Sequence, residues 1–193
     1  MYKVLDKDNI MNEIVPHLPK RVHGPSPRVP LSEIINAVLF KLKSGVQWHM
    51  LPVSELFSGE TLYYKTVFGH YRKWCRQGVW RHCWTSLLSG HKADIDLSSG
   101  DLDGSHTTAI RGGEQVEYQG RKKRRTTNSL YLADRQGLPL AMSEPVAGNH
   151  NDLYDIEVHA EEVFAILEEA DIETDGLFVN GDAGFDSEGF RSP

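Results

Sequence analysis

The chain has 193 residues, 39% hydrophobic and 25% charged, which excludes a disordered polypeptide and fits a soluble globular protein with its own core. No apolar run approaches the roughly 18 residues of a membrane span, and "MYKVLDKDNI" lacks the apolar core of a signal peptide, so a cytoplasmic protein with no membrane partner is expected. The formal charge of -6 is uneven: residues 1–92 carry 13 Lys and Arg against 6 Asp and Glu, and residues 93–193 carry 8 against 21. A basic half suits nucleic acid, and an acidic half can concentrate carboxylates for metal ions.

Helical periodicity fills the first ninety residues. Ile10, Met11, Ile14, Val15 and Leu18 predict one apolar face, which the three prolines of "VHGPSPRVP" (22–30) interrupt. Ser32 is the expected cap of a second helix carrying Ile34, Ile35, Val38, Leu39 and Leu42, with Gly45 as its stop. Trp48 and Leu51 are expected to pack beneath these helices. A third helix, started by Ser58 or Thr61 and running through Arg76, places Tyr64, Val67, Phe68, Tyr71 and Trp74 on one side. Lys65, Arg72 and Arg76, spaced by seven and four with Lys73 beside them, share another side suited to DNA phosphates. Val79, Trp80, Cys83, Trp84, Leu87 and Leu88 predict a fourth helix ending near Gly90, so the helices resemble a helix-turn-helix module. Cys75 and Cys83, on apolar faces, are expected to be core thiols.

The pattern then turns to strands. "SGDLDGSHTTA" alternates around Leu102 and sets Asp101 and Asp103 on one face. "NSLYLADRQGLPLAMSEPVAG" reads as two strands joined at "DRQG", with Asp134 opening the turn and Gly137 closing it. Before them lies a polar loop, "RGGEQVEYQGRKKRR", holding Arg111 and five consecutive cations: Arg121, Lys122, Lys123, Arg124 and Arg125. A helix over 152–170, capped by Asn149 or Asn151, buries Leu153, Ile156, Ala160, Val163, Phe164 and Leu167, and "DGLFVNGD" is the strand after it. Antiparallel strands followed by a helical crossover into a parallel strand make an α/β layered sheet, so the chain is expected to be α+β or α/β, with a helical domain over 1–92 and a sheet domain over 93–193.

Asp103 and Asp182 each end a strand. If those strands are neighbours, two acids 79 positions apart meet at one sheet edge, where they repel unless a cation neutralises them. Mg²⁺ suits such a pair, with Mn²⁺ as the alternative ion. Two ions of this kind activate an attacking oxygen and stabilise a leaving one in phosphodiester chemistry. Ser105 and His106 do not form a nucleophile-base pair, because neighbours on a strand point to opposite faces. His106 and His150 are candidates to approach the acids.

"LDGSHTTAIRGG", "GRKKRRTTNSLYLADRQGLPLAMSEPVAGNHND" and "NGDAGFDS" together resemble the catalytic core of DDE transposases of the bacterial insertion-sequence-five group. "LPKRVHGPSPRVPLSEIINAVLFKLKSGVQWHMLP" and "TLYYKTVFGHYRKWCRQGVW" resemble that group's entry domain, so the likeness runs over about residues 8–190. The resemblance implies a ribonuclease-H-like fold for the second domain and Asp103 and Asp182 as Mg²⁺-binding catalytic acids. It implies cleavage at element terminal repeats, strand transfer into target DNA, and a homo-oligomer on DNA, with Arg111 and the 121–125 cations near the cleaved end. The family's third acid, a glutamate on a later helix, is expected beyond Pro193, since Glu188 lies too close to Asp182. The sequence therefore reads as a partial ribonuclease-H-like domain, truncated or continued in a shifted frame. The alternative expectation is a catalytically inactive, truncated DNA-binding regulator of transposition.

Overall fold

The structure, a computed structural model, describes residues 2–19, 28–109 and 113–181. The chain forms two compact units, Met1–Leu87 and Leu88–Pro193.

In the first unit, α1 (Lys7–Asn9) widens into a π-turn at Ile10–Ile14 and tightens into a 3-10 turn at Val15–His17. Pro16 has no N–H to donate, which accounts for a regular α-helix failing there. Ile10, Ile14 and Leu18 stay buried, but Met11 turns out to solvent, contrary to its expected place on the apolar face. Helix α2 (Leu31–Ser44) ends as expected at Gly45, whose φ of 68° needs no Cβ and whose N–H donates to the Lys41 carbonyl.

The start of α2 differs from expectation: Pro30 is its cap, and Ser32 lies inside the first turn, buried, with no hydrogen-bond partner for its Oγ among the described residues. Leu42 is exposed because the buried residues of α2 lie in its amino-terminal half, Ile34, Ile35, Ala37 and Val38 among them, and its carboxyl end is not buried. Glu33, buried on the same helix, accepts hydrogen bonds from the Ser58 backbone N–H and hydroxyl. That engagement takes Ser58 away from any capping role. Asn36 ties the amino-terminal arm to α2, donating to the Tyr2 carbonyl and accepting from the Val4 N–H, each at 2.7 Å.

After a 3-10 turn at Trp48–Met50 come α3 (Val53–Leu56), α4 (Tyr64–Arg76) and α5 (Val79–Gly90). Helix α4 begins at Tyr64 with no side-chain cap, so neither Ser58 nor Thr61 starts it. Trp48 packs against Phe68 and Tyr71, and Trp74 meets Trp80 edge to face at 5.8 Å, filling the space beside Val67 and Leu56. Burial and a hydrogen bond to Cys75 push the Tyr71 hydroxyl up to about 12. Cys83 is buried as expected, but Cys75 and Trp84 are exposed, since each lies away from the side that α4 or α5 gives to the core.

The second unit is a six-stranded sheet with a helix on one face. β1 (Gly100–Thr108), β2 (Glu117–Gln119), β3 (Arg124–Asp134), β4 (Pro139–Met142) and β5 (Val146–Ala147) are followed by α6 (Ile156–Glu169) and β6 (Val179–Gly181). The order is β2-β3-β1-β6, with β4 and β5 also pairing β3. β1 and β3 are antiparallel and β1 and β6 parallel, so the sheet is mixed and the chain is α+β. Leu102, Leu130, Leu132 and Leu140 pack against Val163 and Leu167 of α6 in one core. Each such side chain taken from water contributes about 1.5–3 kcal/mol.

β3 begins at Arg124, so Arg124 and Arg125 lie on a strand and only Arg121, Lys122 and Lys123 occupy the turn, since β2 supplies partners for Arg124 and Arg125. Helix α6 starts at Ile156, after Asp155 with φ 46°, and neither Asn149 nor Asn151 caps it. Leu153 precedes the helix in a turn but still packs on the core. Asp134 keeps the predicted turn role: fully buried, its carboxylate accepts from the N–H groups of Asp96, Gln136 and Leu138 at 2.8–3.0 Å, and Gly137 has φ 81°.

Candidate active site

Strand alternation positions the first acid. Along β1 Gly100 and Leu102 are buried while Asp101 and Asp103 are exposed, so both carboxylates stand on the face opposite Leu102; Asp103 lies inside β1 and not at its end as expected, because the pairing with β3 continues to Thr108. Their antiparallel partners on β3 are Ala133 and Tyr131. On the other side of β1 lies β6, with Asp101 in register with Asn180 and Leu102 with Gly181. The Asn180 side-chain amide donates to Asp101 Oδ1 at 3.0 Å. Asp182 follows Gly181 directly in sequence and lies outside the described residues, as does Arg111.

Among the described residues no group of three or more His, Cys, Asp or Glu side chains is arranged to hold a metal ion. The described donors at this edge, Asp101 and Asp103, are exposed carboxylates on one face, an all-oxygen set that fits Mg²⁺, which keeps waters and takes few protein ligands.

His106 does not approach Asp103. Its imidazole points to the opposite face, where Nδ1 lies 3.1 Å from Thr126 Oγ1 and Nε2 lies 4.0 Å from Asp152 Oδ1. Asn128, buried on β3, donates to the same Asp152 oxygen at 2.7 Å. This polar group holds the 148–155 loop against the sheet, and the sequence signalled it only as Asn128 interrupting the buried series Leu130, Leu132. His150 is part of that loop: its N–H donates to the Ala147 carbonyl and its ring stacks on Tyr154 at 3.7 Å. The close approach of chain to chain is clearest at Gly148, where a Cβ would stand 2.2 Å from the Thr126 carbonyl oxygen. Gly148→Ala is expected to destabilise the protein by about 1–3 kcal/mol, read as a lowered denaturation midpoint.

Burial, reinforced by Lys122 and Arg121 and opposed by Asp152, holds the His106 pKa below the ordinary 6.5. The folded state therefore binds fewer protons here than the unfolded one. The stabilisation is complete above pH 6.5 and is lost as pH falls through the lower folded value. Thermal melts between pH 7.5 and 5.5 are expected to show a smaller fall in Tm for His106→Gln than for the parent protein. Equal slopes would remove His106 from this role.

The cations divide between the units. On α4 Lys65, Arg72, Lys73 and Arg76 are all exposed; at about 100° per residue Lys65, Arg72 and Arg76 fall within a narrow arc and Lys73 lies beside it. Arg72 lies over the Phe68 ring at 5.6 Å and Lys65 over Tyr63 at 5.9 Å. In the second unit Arg121, Lys122, Lys123, Arg124 and Arg125 are exposed at the β2–β3 hairpin. No helix among the described residues is long and apolar enough to cross a membrane.

Residues 7–84, most of the helical unit, match the family described as "Putative transposase of IS4/5 family". The chain is also 31% identical over 124 residues to the insertion element IS402 uncharacterized 16.2 kDa protein of Burkholderia cepacia, a match covering 60% of this chain and 81% of the relative. No solved structure matches. The two likenesses agree: the chain belongs to the IS4/5 family of insertion-element transposases.

Proposed function

We propose that the protein is a DDE-type DNA transposase in which a helical domain over 1–92 binds the terminal repeats of its element and a ribonuclease-H-like domain over 93–193 carries the acids for cleavage and strand transfer. One observation carries the catalytic half: β1, which holds Asp103, and β6, which directly precedes Asp182 in sequence, are parallel neighbours. Five strands paired antiparallel through β3, followed by a helix crossing into a parallel strand beside the first, support the ribonuclease-H-like reading.

In this reading Asp103 and Asp182 hold Mg²⁺, or Mn²⁺ in its place; bound there, the ion lowers the barrier to attack on a phosphodiester and to departure of the leaving oxygen. Asp101, held by Asn180, keeps β1 and β6 in register below the acids. Water attacks at the element end, and the freed 3' hydroxyl attacks target DNA. Two ends require two active sites, hence a homo-oligomer on DNA. The exposed α4 cations contact phosphates of a helix-turn-helix-bound duplex, and Arg111 with the 121–125 cations lies near the cleaved end.

Salt-dependent binding tests the DNA half. Replacing Arg72 and Arg76 together by Ala is expected to weaken binding to terminal-repeat duplex and to flatten the log-log salt slope by about one per lost phosphate contact. An unchanged slope would remove α4 from the interface. Mg²⁺-dependent nicking of the same duplex tests the catalytic half.

A further inference from the structure

The face of the sheet that presents Asp103 does not end at the carboxylates. Cross-strand partners point to the same side, so the register Asp103↔Tyr131, Ser105↔Ser129, Thr107↔Thr127 continues along β3 to Arg125, and from Arg125 across to Tyr118 on β2. Ser105, Thr107, Arg125 and Tyr118 are all exposed. The acids thus stand at one end of this face, an arginine and an open aromatic ring at the other, and hydroxyls between them.

Tyr118 is the informative residue. It is 57% exposed, on a three-residue strand whose hairpin turn bears Arg121, Lys122 and Lys123 and whose partner strand opens with Arg124 and Arg125. A packing role would bury the ring, and solvation of the hairpin needs no ring at all. An exposed aromatic among cations suits a nucleobase whose phosphates the cations hold. Six residues of strand separate Tyr131, opposite Asp103, from Arg125, about 20 Å at 3.4 Å per residue. That is about six nucleotide steps at the 3.4 Å per-strand rise of stacked duplex DNA, and fewer for an unpaired, extended strand.

We propose that Tyr118 is a stacking site for an unpaired DNA base, and that Thr107, Ser105 and Arg125 line the path of that strand toward Asp103. A duplex keeps its base faces covered by stacking, so the ring selects single-stranded DNA beside the cleavage point. The inference rests on the transposase reading given above and specifies the substrate it acts on: an element end with one strand open.

The test compares the full chain on two probes, a blunt terminal-repeat duplex and the same duplex with a single-stranded tail of about eight nucleotides, within the usual site size for such strands. 2-Aminopurine placed along the tail reports stacking. The parent protein is expected to prefer the tailed probe. Tyr118→Ala is expected to lose about tenfold or more on the tailed probe, nothing on the blunt one, and the fluorescence quench at one tail position. Tyr118→Phe is expected to retain all three. Equal binding of both probes by the parent, or equal loss on both in Tyr118→Ala, would overturn the stacking site while leaving the transposase reading in place. Failure of the parent to bind either probe would overturn both.

Discussion

Asp103→Ala is expected to abolish metal-dependent cleavage of terminal-repeat DNA, a loss of about a thousandfold or more, because metal-borne charge stabilisation is worth several kcal/mol and each 1.4 kcal/mol is tenfold in rate. The fold should survive. Asp103 is exposed on β1, and replacing a surface residue away from special contacts changes stability by about 0.5 kcal/mol or less. The DNA binding proposed for α4 is expected to persist. Asp101→Ala removes the carboxylate that Asn180 holds and is expected to cost less than Asp103→Ala. If Asp103→Ala cuts as well as the parent, the acid has been assigned wrongly. If it unfolds, its effect is structural and the assignment loses its support.

The largest stability effect is expected from Leu132→Ala. Leu132 is fully buried near the carboxyl end of β3, paired with Leu102, and packs in the core that α6 closes. Truncating a buried leucine costs about 2–5 kcal/mol, the spread reflecting how far neighbours collapse into the hole. The hydrophobic clusters of the two units are separate, so the loss should fall on the sheet unit. Chemical denaturation followed by the tryptophans, all four of which lie between Trp48 and Trp84, should then change little while far-UV circular dichroism shows the sheet unit melting early. A single transition shifted equally for both probes would instead mean that the units unfold together.

Residue chemistry announced the elements whose cause is local. The alternation around Leu102 set Asp101 and Asp103 on one face, Asp134 and Gly137 specified their turn, and Gly45 ended α2, because each depends on a few adjacent residues. Expectations failed where a tertiary partner decided. Ser58 binds Glu33, a residue 25 positions away, and so starts no helix. Ser32 is drawn inside α2, and Met11, Leu42 and Trp84 satisfy the helical period yet face solvent, because the small bundle has only so much buried surface to share. Arg124 and Arg125 read as loop because five cations have no strand propensity, but β2 supplies the partner that extends β3 to them. At the candidate site the alternation placed Asp103 on the face opposite Leu102, and the helical crossover anticipated the parallel neighbour strand. It did not supply Asn180 as the partner of Asp101, which appears only once β6 is laid parallel to β1.

Asp103 and Asp182 are proposed as two of the acids for metal-dependent cutting of the element's ends, and a nicking assay reads their role. Purified protein is mixed with duplex DNA carrying the terminal repeat, with Mg²⁺, with Mn²⁺ and with EDTA, beside Asp103→Ala and Asp182→Ala. Strand cleavage at the repeat end that needs the ion and disappears in both variants is the predicted result. Cleavage that persists in both variants, or tight binding to the repeat with no cleavage under any ion, would contradict the account.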